Sequence, residues 1–535
     1  MNDQRRSVPA AELSGSLAHV VVQSLVDAGI TTVFGIGGTH TLNLLGELER
    51  FPEVKFVAAR TELGAAYMAI GFARAARQPA VLLTSTGPGA LNVTAALQDA
   101  SWSSTPLIHL TTRIGGDEFA GAVHETPGQG RMLATAGKAV VDINTDDAVR
   151  QLRRAIEMAI RHPKGPVTIQ VEAGTWHDDV AAAPVGPAPE AAPDAGSLTG
   201  VVDTLAAAVA RSARPVVFVG GGALAGDGGA AVLALATKLG APIVTSYQGK
   251  GITTWGDNLY LGPWGWEQPV QELFAEADLA LVFGSKLSAS GTAQWRLPLP
   301  AETYRVDIAG EHHPHYPHVR VVTADAADIA AGLTKAVSPR ASWAPQQLTD
   351  IRATVLAGAT QRGPDEMACV AATADAAPSW VSLDMTKAGF WMLKYLPARL
   401  PSAHLFSSYL AMGTALPMAI GAAVATGQPS MAVVGDGGFQ MSIAELATLA
   451  EYRLPVTVMI IVDNAYGMLR DNRVAIGDNG TLGVTLWNPD LALVADAYGI
   501  SSHQVATADR LRSVLGEPAQ GPRILLVTAP FSRSW

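Results

Sequence analysis

The sequence predicts an α/β protein made of three doubly wound parallel-sheet domains. Three observations lead there. The chain has 535 residues, too many for one ordinary domain. Strand-like apolar runs alternate with Ala- and Leu-rich helical stretches, the pattern of parallel βαβ units. Two passages without periodicity then divide the chain into three blocks.

The first block, 13–177, carries the strand-like runs Thr32-Val33-Phe34, Phe56-Val57-Ala58, Ala80-Val81-Leu82-Leu83 and Leu107-Ile108-His109-Leu110, and closes on Gly165 to Val171. An Ala-, Pro- and Gly-rich stretch at 178–199 reads as an extended, solvent-facing linker. The central block, 200–337, opens with Pro215-Val216-Val217-Phe218-Val219 running into Gly220-Gly221-Gly222. A second linker is expected over 338–377. The last block, 378–535, holds the Gly-rich segment Met412–Gly421, the strand Met431–Val434 and the strand Val456–Val462.

Composition narrows the class further. Hydrophobic residues make up 48% and charged residues 16%, enough to bury large cores. The formal net charge of −10 disfavours a nucleic-acid or anionic-membrane surface, which needs clustered Lys and Arg. One cysteine, Cys369, cannot form an intrachain disulfide. No run approaches the about 20 apolar residues of a spanning helix, and Met1–Ala11 lacks the apolar core of a signal peptide. A soluble cytoplasmic protein with no nucleic-acid or membrane partner is therefore expected.

The segment richest in chemistry runs from Gly435-Asp436-Gly437-Gly438 to Asp463-Asn464-Ala465-Tyr466-Gly467. A strand ends at Val434. Glycines then let a phosphate approach the backbone. Asp436 lies at the strand's carboxyl end, where ligands bind in doubly wound sheets. After a helix, a second strand ends at Asp463, 27 positions on. Two adjacent strand ends can share one divalent cation, with diphosphate oxygens and water completing an octahedral Mg²⁺ shell. Gly-Asp-Gly alone is an ordinary turn; the whole segment is far more specific.

That segment resembles the diphosphate-binding motif of the thiamine-diphosphate enzymes, and the likeness extends over nearly the whole chain. It is similar to the acetohydroxyacid (acetolactate) synthase, benzoylformate decarboxylase and pyruvate decarboxylase group. The resemblance implies a pyrimidine-binding first domain, a variable central domain and a diphosphate-binding last domain. It implies homodimers or homotetramers with active sites between subunits, and the cofactors thiamine diphosphate and Mg²⁺. The metal would be held by Asp436, Asp463 and the Ala465 carbonyl, beside Tyr466 and Gly467. The family usually has Asn where this chain has Asp463, so an extra negative charge stands beside the diphosphate.

The resemblance assigns Glu62, in Arg60-Thr61-Glu62-Leu63-Gly64-Ala65-Ala66, to the pyrimidine N1′. Met412 would wedge between the two cofactor rings, and the Leu410 carbonyl would accept from the 4′-amino group. Thr39 and His40, in Gly35-Ile36-Gly37-Gly38-Thr39-His40, would face the substrate. His124 and Glu125 match a Gln-Glu pair in acetohydroxyacid synthases. Ser85 to Asn92 is similar to their Gly-Pro-Gly loop. His312, His313, His315 and His318 sit in a loop broken by Pro314 and Pro317, and read as surface rather than as a metal site.

Two departures bear on the reaction. The synthases carry Arg-Phe-Asp-Asp-Arg in the central domain, and the last Arg grips the acceptor's carboxylate. Here the run is Lys286-Leu287-Ser288-Ala289-Ser290, and Asn472 stands where they have a Trp. A guanidinium is the natural bidentate clamp for a carboxylate. Pyruvate or 2-oxobutyrate is thus a doubtful acceptor, and FAD, held in part by the same run, a doubtful cofactor. The leading expectation is a carboligase that decarboxylates a 2-oxo acid and transfers the acyl anion equivalent to an unidentified acceptor. The alternatives are a simple decarboxylase releasing an aldehyde and a non-catalytic cofactor-binding homologue.

Overall fold

The computed structural model describes residues 12–115, 124, 126–184, 195–400, 403–519 and 521–528. They fall into two units. The first comprises Met1–Ala192 with Ala444–Glu451, and the second Pro193–Ile443 with Tyr452–Trp535.

The first unit contains β1 (Glu12–Ser16), β2 (Thr32–Gly35), β3 (Lys55–Ala58), β4 (Ala80–Leu83), β5 (Leu107–Arg113), β6 (Ala139–Ile143), β7 (Pro166–Glu172) and β8 (Asp179–Pro184). Six of them form a sheet in the order β3-β2-β4-β5-β7-β6, every pair parallel. A parallel sheet is covered on both faces, so its strands are continuously apolar; every residue of β2 and β4 is buried. The helix Glu62–Ala76 is buried from Gly64 to Ala73, and its small residues let it lie close to the sheet.

The passage expected as a linker at 178–199 is partly structured. β8 pairs antiparallel with β1, which satisfies its backbone groups, and a helix starts at Ala195. Residues 185–194 of that passage lie outside the described residues.

The second unit holds β9 (Pro215–Val219), β10 (Ile243–Thr245), β11 (Tyr260–Gly262), β12 (Leu279–Phe283), β13 (Thr303–Asp307), β14 (Arg320–Thr323), β15 (Trp380–Leu383), β16 (His404–Phe406), β17 (Ser430–Gly435), β18 (Val456–Ile461), β19 (Ser501–Val505) and β20 (Arg523–Val527). They build two parallel sheets, β11-β10-β9-β12-β13-β14 and β16-β15-β17-β18-β20-β19. Three α/β parallel-sheet domains are therefore present, as the sequence predicts.

The expected linker at 338–377 is mostly two helices, Pro345–Arg362 and Pro364–Ala376. Each starts with Pro, which fits the first helical turn because its missing N–H would have no partner there. Leu348, Val355, Cys369 and Val370 join the core that runs between the two sheets of this unit. Burial pushes the Cys369 thiol up to about 12.

Numbered along the chain within each sheet, the first and third share the order 2-1-3-4-6-5. The chain reverses direction across the sheet between the first and third strands. Ligands bind outside the carboxyl ends at such switch points: the ends of β2 and β4 in one sheet, and of β15 and β17 in the other.

Candidate active site

At the β2/β4 ends, the strands approach so closely that a Cβ on Gly35 would strike the Leu83 carbonyl. The chain then enters a tight turn, Thr39–Thr41, in which the Thr41 hydroxyl bridges the Gly38 N–H and carbonyl at 3.0 Å each. The turn leaves Thr39 exposed and holds His40 by its carbonyl, which accepts from Trp176 Nε1 at 2.8 Å. His40 Nδ1 lies 3.3 Å from Ser85 Oγ. The His40 and His124 rings stand edge to face, 5.8 Å apart. The structure thus brings His40, Ser85 and His124 together. Glu125 lies outside the described residues.

Ser85 is supported from below by a buried polar chain. Its carbonyl accepts from Thr111 Oγ1 at 3.0 Å, and Thr111 in turn accepts from Thr84 at 3.0 Å. Thr84 Oγ1 meets His109 Nε2 at 2.9 Å, and His109 Nδ1 meets Thr168 Oγ1 at 3.1 Å. Burial pushes His109 down to about 3, so it is a neutral imidazole.

Glu62 opens its helix, with Thr61 as N-cap accepting from Gly64 N. The Glu62 carboxylate is half-buried, and its Oε2 accepts from Asn92 Nδ2 at 3.2 Å. A Cβ on Gly89 would stand 3.4 Å from Oε1, so the Gly-Pro-Gly turn passes close beside this carboxylate. Behind it lies Glu445, fully buried. Its carboxylate accepts from Arg60 N at 3.2 Å, Thr61 N at 3.0 Å, Thr61 Oγ1 at 2.9 Å and Thr448 Oγ1 at 3.0 Å. An acid in the apolar helical run Ile443–Tyr452, which also carries Glu451, was the only sequence signal for it.

At the carboxyl ends of β15 and β17, Asp384 is the organising residue, and the sequence reading missed it. It is buried, and it accepts from Gly413 N at 3.1 Å and Ala415 N at 3.3 Å. Burial pushes its carboxyl up from the ordinary range; those N–H groups oppose the rise. They fix the turn that presents Met412, 37% exposed, and Leu410. Leu410 is left-handed at φ 60°, a costly conformation for a branched side chain. Such a conformation sets the direction of its carbonyl.

The Gly435–Gly438 turn opens the helix Asp436–Ser442. Asp436 is 1% exposed and accepts from Gly437 N at 2.9 Å, Asn464 N at 2.7 Å and Asn488 Nδ2 at 2.8 Å. Burial pushes its carboxyl up; the Asn464 N–H opposes this and the neighbouring Asp463 charge adds to it. The Tyr466 ring covers Gly437, where a Cβ would lie 2.5 Å from Cε1. Ala465 bridges to Thr485, which sets the loop after β18. Gly467 opens the helix Gly467–Ala475. Asn488 Nδ2 donates to both Asp436 Oδ2 and Asn464 Oδ1, the latter at 2.9 Å, so these two oxygens converge at adjacent strand ends as hard donors suited to a divalent cation, whereas the expected ligand Asp463 turns its Oδ2 to Arg470 Nη2 at 3.0 Å.

The histidine-rich loop behaves as a surface. His315 stacks on Trp295 at 3.6 Å, and His313 Nε2 meets the Leu287 carbonyl at 3.1 Å. Among the described residues no group of three or more His, Cys, Asp or Glu could hold a metal. In the central sheet, a Cβ on Gly220 would lie 2.6 Å from Ser285 Cα, so close packing of the β9 and β12 turns requires that glycine. The Ser290 carbonyl accepts from Trp266 Nε1 at 2.6 Å.

A switch-point site with a Gly-rich turn, buried carboxylates and a helix start defines an α/β enzyme that binds a phosphorylated cofactor. The comparisons say which. The thiamine pyrophosphate enzyme N-terminal TPP binding domain matches residues 15–130, the central domain 202–333 and the C-terminal TPP binding domain 384–529. The chain belongs to the thiamine pyrophosphate enzyme family, and is a thiamine-diphosphate-dependent enzyme. It is 33% identical over 516 residues to a probable 2-ketoarginine decarboxylase of Pseudomonas aeruginosa, covering 92% of this chain and 90% of that one. It is 29% identical over 497 residues to the acetolactate synthase isozyme 1 large subunit of Escherichia coli, covering 88% and 85%. It is 26% identical to the acetolactate synthase of Bacillus subtilis over 546 residues, covering 96% and 93%. Among the described residues no helix is long and apolar enough to cross a membrane.

Proposed function

We propose that the chain uses thiamine diphosphate and Mg²⁺ to decarboxylate a 2-oxo acid, and that protonation then releases an aldehyde. When bound, thiamine diphosphate supplies the carbon nucleophile and the electron sink for loss of CO₂. Glu62 would hold the proton at the pyrimidine N1′, Met412 would pack against the cofactor's rings, and the Leu410 carbonyl would accept from its amino group. Asp436, with Asn464 Oδ1 beside it and with Asp463 and the Ala465 carbonyl on the same loop, would hold the metal, while Gly435, Gly437, Gly438, Tyr466 and Gly467 would shape the diphosphate end. His40 and His124 move protons on the substrate side, and Thr39 lines the same face.

The observation that carries protonation is the His40–His124 pair with Ser85 at the β2/β4 ends. An imidazole can both give and take a proton through its ring nitrogens, the chemistry general acid–base catalysis needs. Ser290 in place of an Arg supports the same outcome, because a carboxylate acceptor has no clamp there. Carboligation, the leading expectation from sequence, becomes the second reading; similarity to acetolactate synthases favours it. A homodimer or homotetramer belongs to either reading.

Incubating the holoenzyme with a panel of 2-oxo acids tests this. The panel includes 2-ketoarginine, pyruvate, 2-oxobutyrate and benzoylformate, with CO₂ and products measured by mass spectrometry. Aldehyde and CO₂ in equal amounts are expected for the best donor. A 2-hydroxyketone or acetolactate as main product would establish carboligation instead.

A further inference from the structure

Asn488 lies beside the Asp436 carboxylate, and two anchors hold it there. On one side, the segment before it is tied to the loop after β18. Leu486 N donates to the Asn464 carbonyl at 2.8 Å, Tyr466 N donates to the Val484 carbonyl at 2.9 Å, and Ala465 bridges to Thr485. On the other side, Asp490 caps the helix Leu491–Ala497 and accepts from Ala492 N at 2.9 Å. Asn464 meets this segment in the left-handed region, at φ 52°, which Asn enters more readily than most side chains.

The half-buried Asn488 side chain is tied at both ends of its amide. Nδ2 donates to Asp436 Oδ2 at 2.8 Å and to Asn464 Oδ1 at 2.9 Å. Oδ1 accepts from Gln440 Nε2 at 3.3 Å, and Gln440 lies about one turn on from Asp436 in the helix Asp436–Ser442. An amide nitrogen carries two hydrogens, and both are used on this pair of oxygens. Turned over, the amide would set an oxygen against two oxygens, so its orientation is fixed. The acceptors keep capacity for a cation. A carboxylate offers about four lone-pair sites, and the hydrogen bonds from Gly437 N, Asn464 N and Asn488 Nδ2 use three of those on Asp436. An amide oxygen offers two, and Asn488 uses one on Asn464.

We propose that Asn488 is a positioning residue for the divalent cation: its one amide clamps the Asp436 carboxylate and the Asn464 amide oxygen together, so that their remaining lone pairs serve one small ion. This rests on the thiamine diphosphate and Mg²⁺ reading above. The clamp matters most for Mg²⁺, which demands a near-ideal octahedral shell, and less for the larger Ca²⁺, which accepts irregular ones. A residue that only props the loop would affect both ions alike.

Calorimetric titration of Mg²⁺, and separately of Ca²⁺, into the metal-free full chain at saturating thiamine diphosphate separates the two roles. Asn488→Ala is expected to weaken Mg²⁺ about tenfold or more, in the range typical for partners behind metal ligands, and Ca²⁺ about threefold or less. The ratio of the two affinities therefore falls. Gln440→Ala keeps the amide but frees its carbonyl end, and should lower the ratio by a smaller factor. Equal weakening of both ions in Asn488→Ala, or wild-type affinities, would overturn the clamp. Where Asn488→Ala does not fold, the Gln440→Ala ratio decides, and an unchanged ratio there would overturn it. Wild type that takes up thiamine diphosphate with neither ion would overturn the proposed function itself, and this inference with it.

Discussion

Glu62 shows how much one residue's chemistry depends on its neighbours. Its carboxylate has one amide donor, Asn92, on Oε2, and the Gly89 turn beside Oε1. An amide at this position keeps the shape and the Asn92 contact but cannot give up a proton. Glu62→Gln is therefore expected to bind thiamine diphosphate within a few-fold of wild type and to lose about a hundredfold or more in CO₂ release. Turnover at the wild-type rate would remove Glu62 from the reaction. Glu62 was singled out by the resemblance of its segment to the family, ahead of a small-residue helix; taken alone it reads as an ordinary helix-start carboxylate. Asp384 was not. Its partners, Gly413 and Ala415, are about thirty positions away, and no local pattern marks an acid that will be buried against distant backbone N–H groups.

Elements were legible where periodicity was strong and misread where composition imitated a linker. The helices Pro345–Arg362 and Pro364–Ala376 are rich in Ala, the best helix former, and their Pro residues open the helices instead of breaking them. The start of the Glu62 helix depends on Glu445, whose carboxylate collects the Arg60 and Thr61 N–H groups and two hydroxyls. Glu445→Gln turns one acceptor into a donor facing other donors. It should destabilise the fold by about 2 kcal/mol and displace Glu62. A lowered melting temperature is expected, with kcat reduced while KM for the 2-oxo acid changes little. An unchanged melting temperature and kcat would show that the turn holds without Glu445.

At the scale of the whole molecule, the three blocks were visible as alternating strand and helix patterns, and the first and last looked alike in size. Their shared strand order was not visible, because strand pairing joins residues far apart in the chain. That order explains why the chemistry-bearing loops follow the first and third strands of each sheet: Thr39, His40 and Ser85 in one, Asp384 and Asp436 in the other. The central claim is that the second of these switch points holds thiamine diphosphate through a divalent cation. Titrating thiamine diphosphate into the purified chain with and without Mg²⁺, alongside Asp436→Ala, tests it most directly. Saturable binding of one cofactor per chain is expected only with the metal, and is expected to be lost in Asp436→Ala. Equally tight binding in the presence of a chelator, or wild-type affinity in Asp436→Ala, would contradict the account.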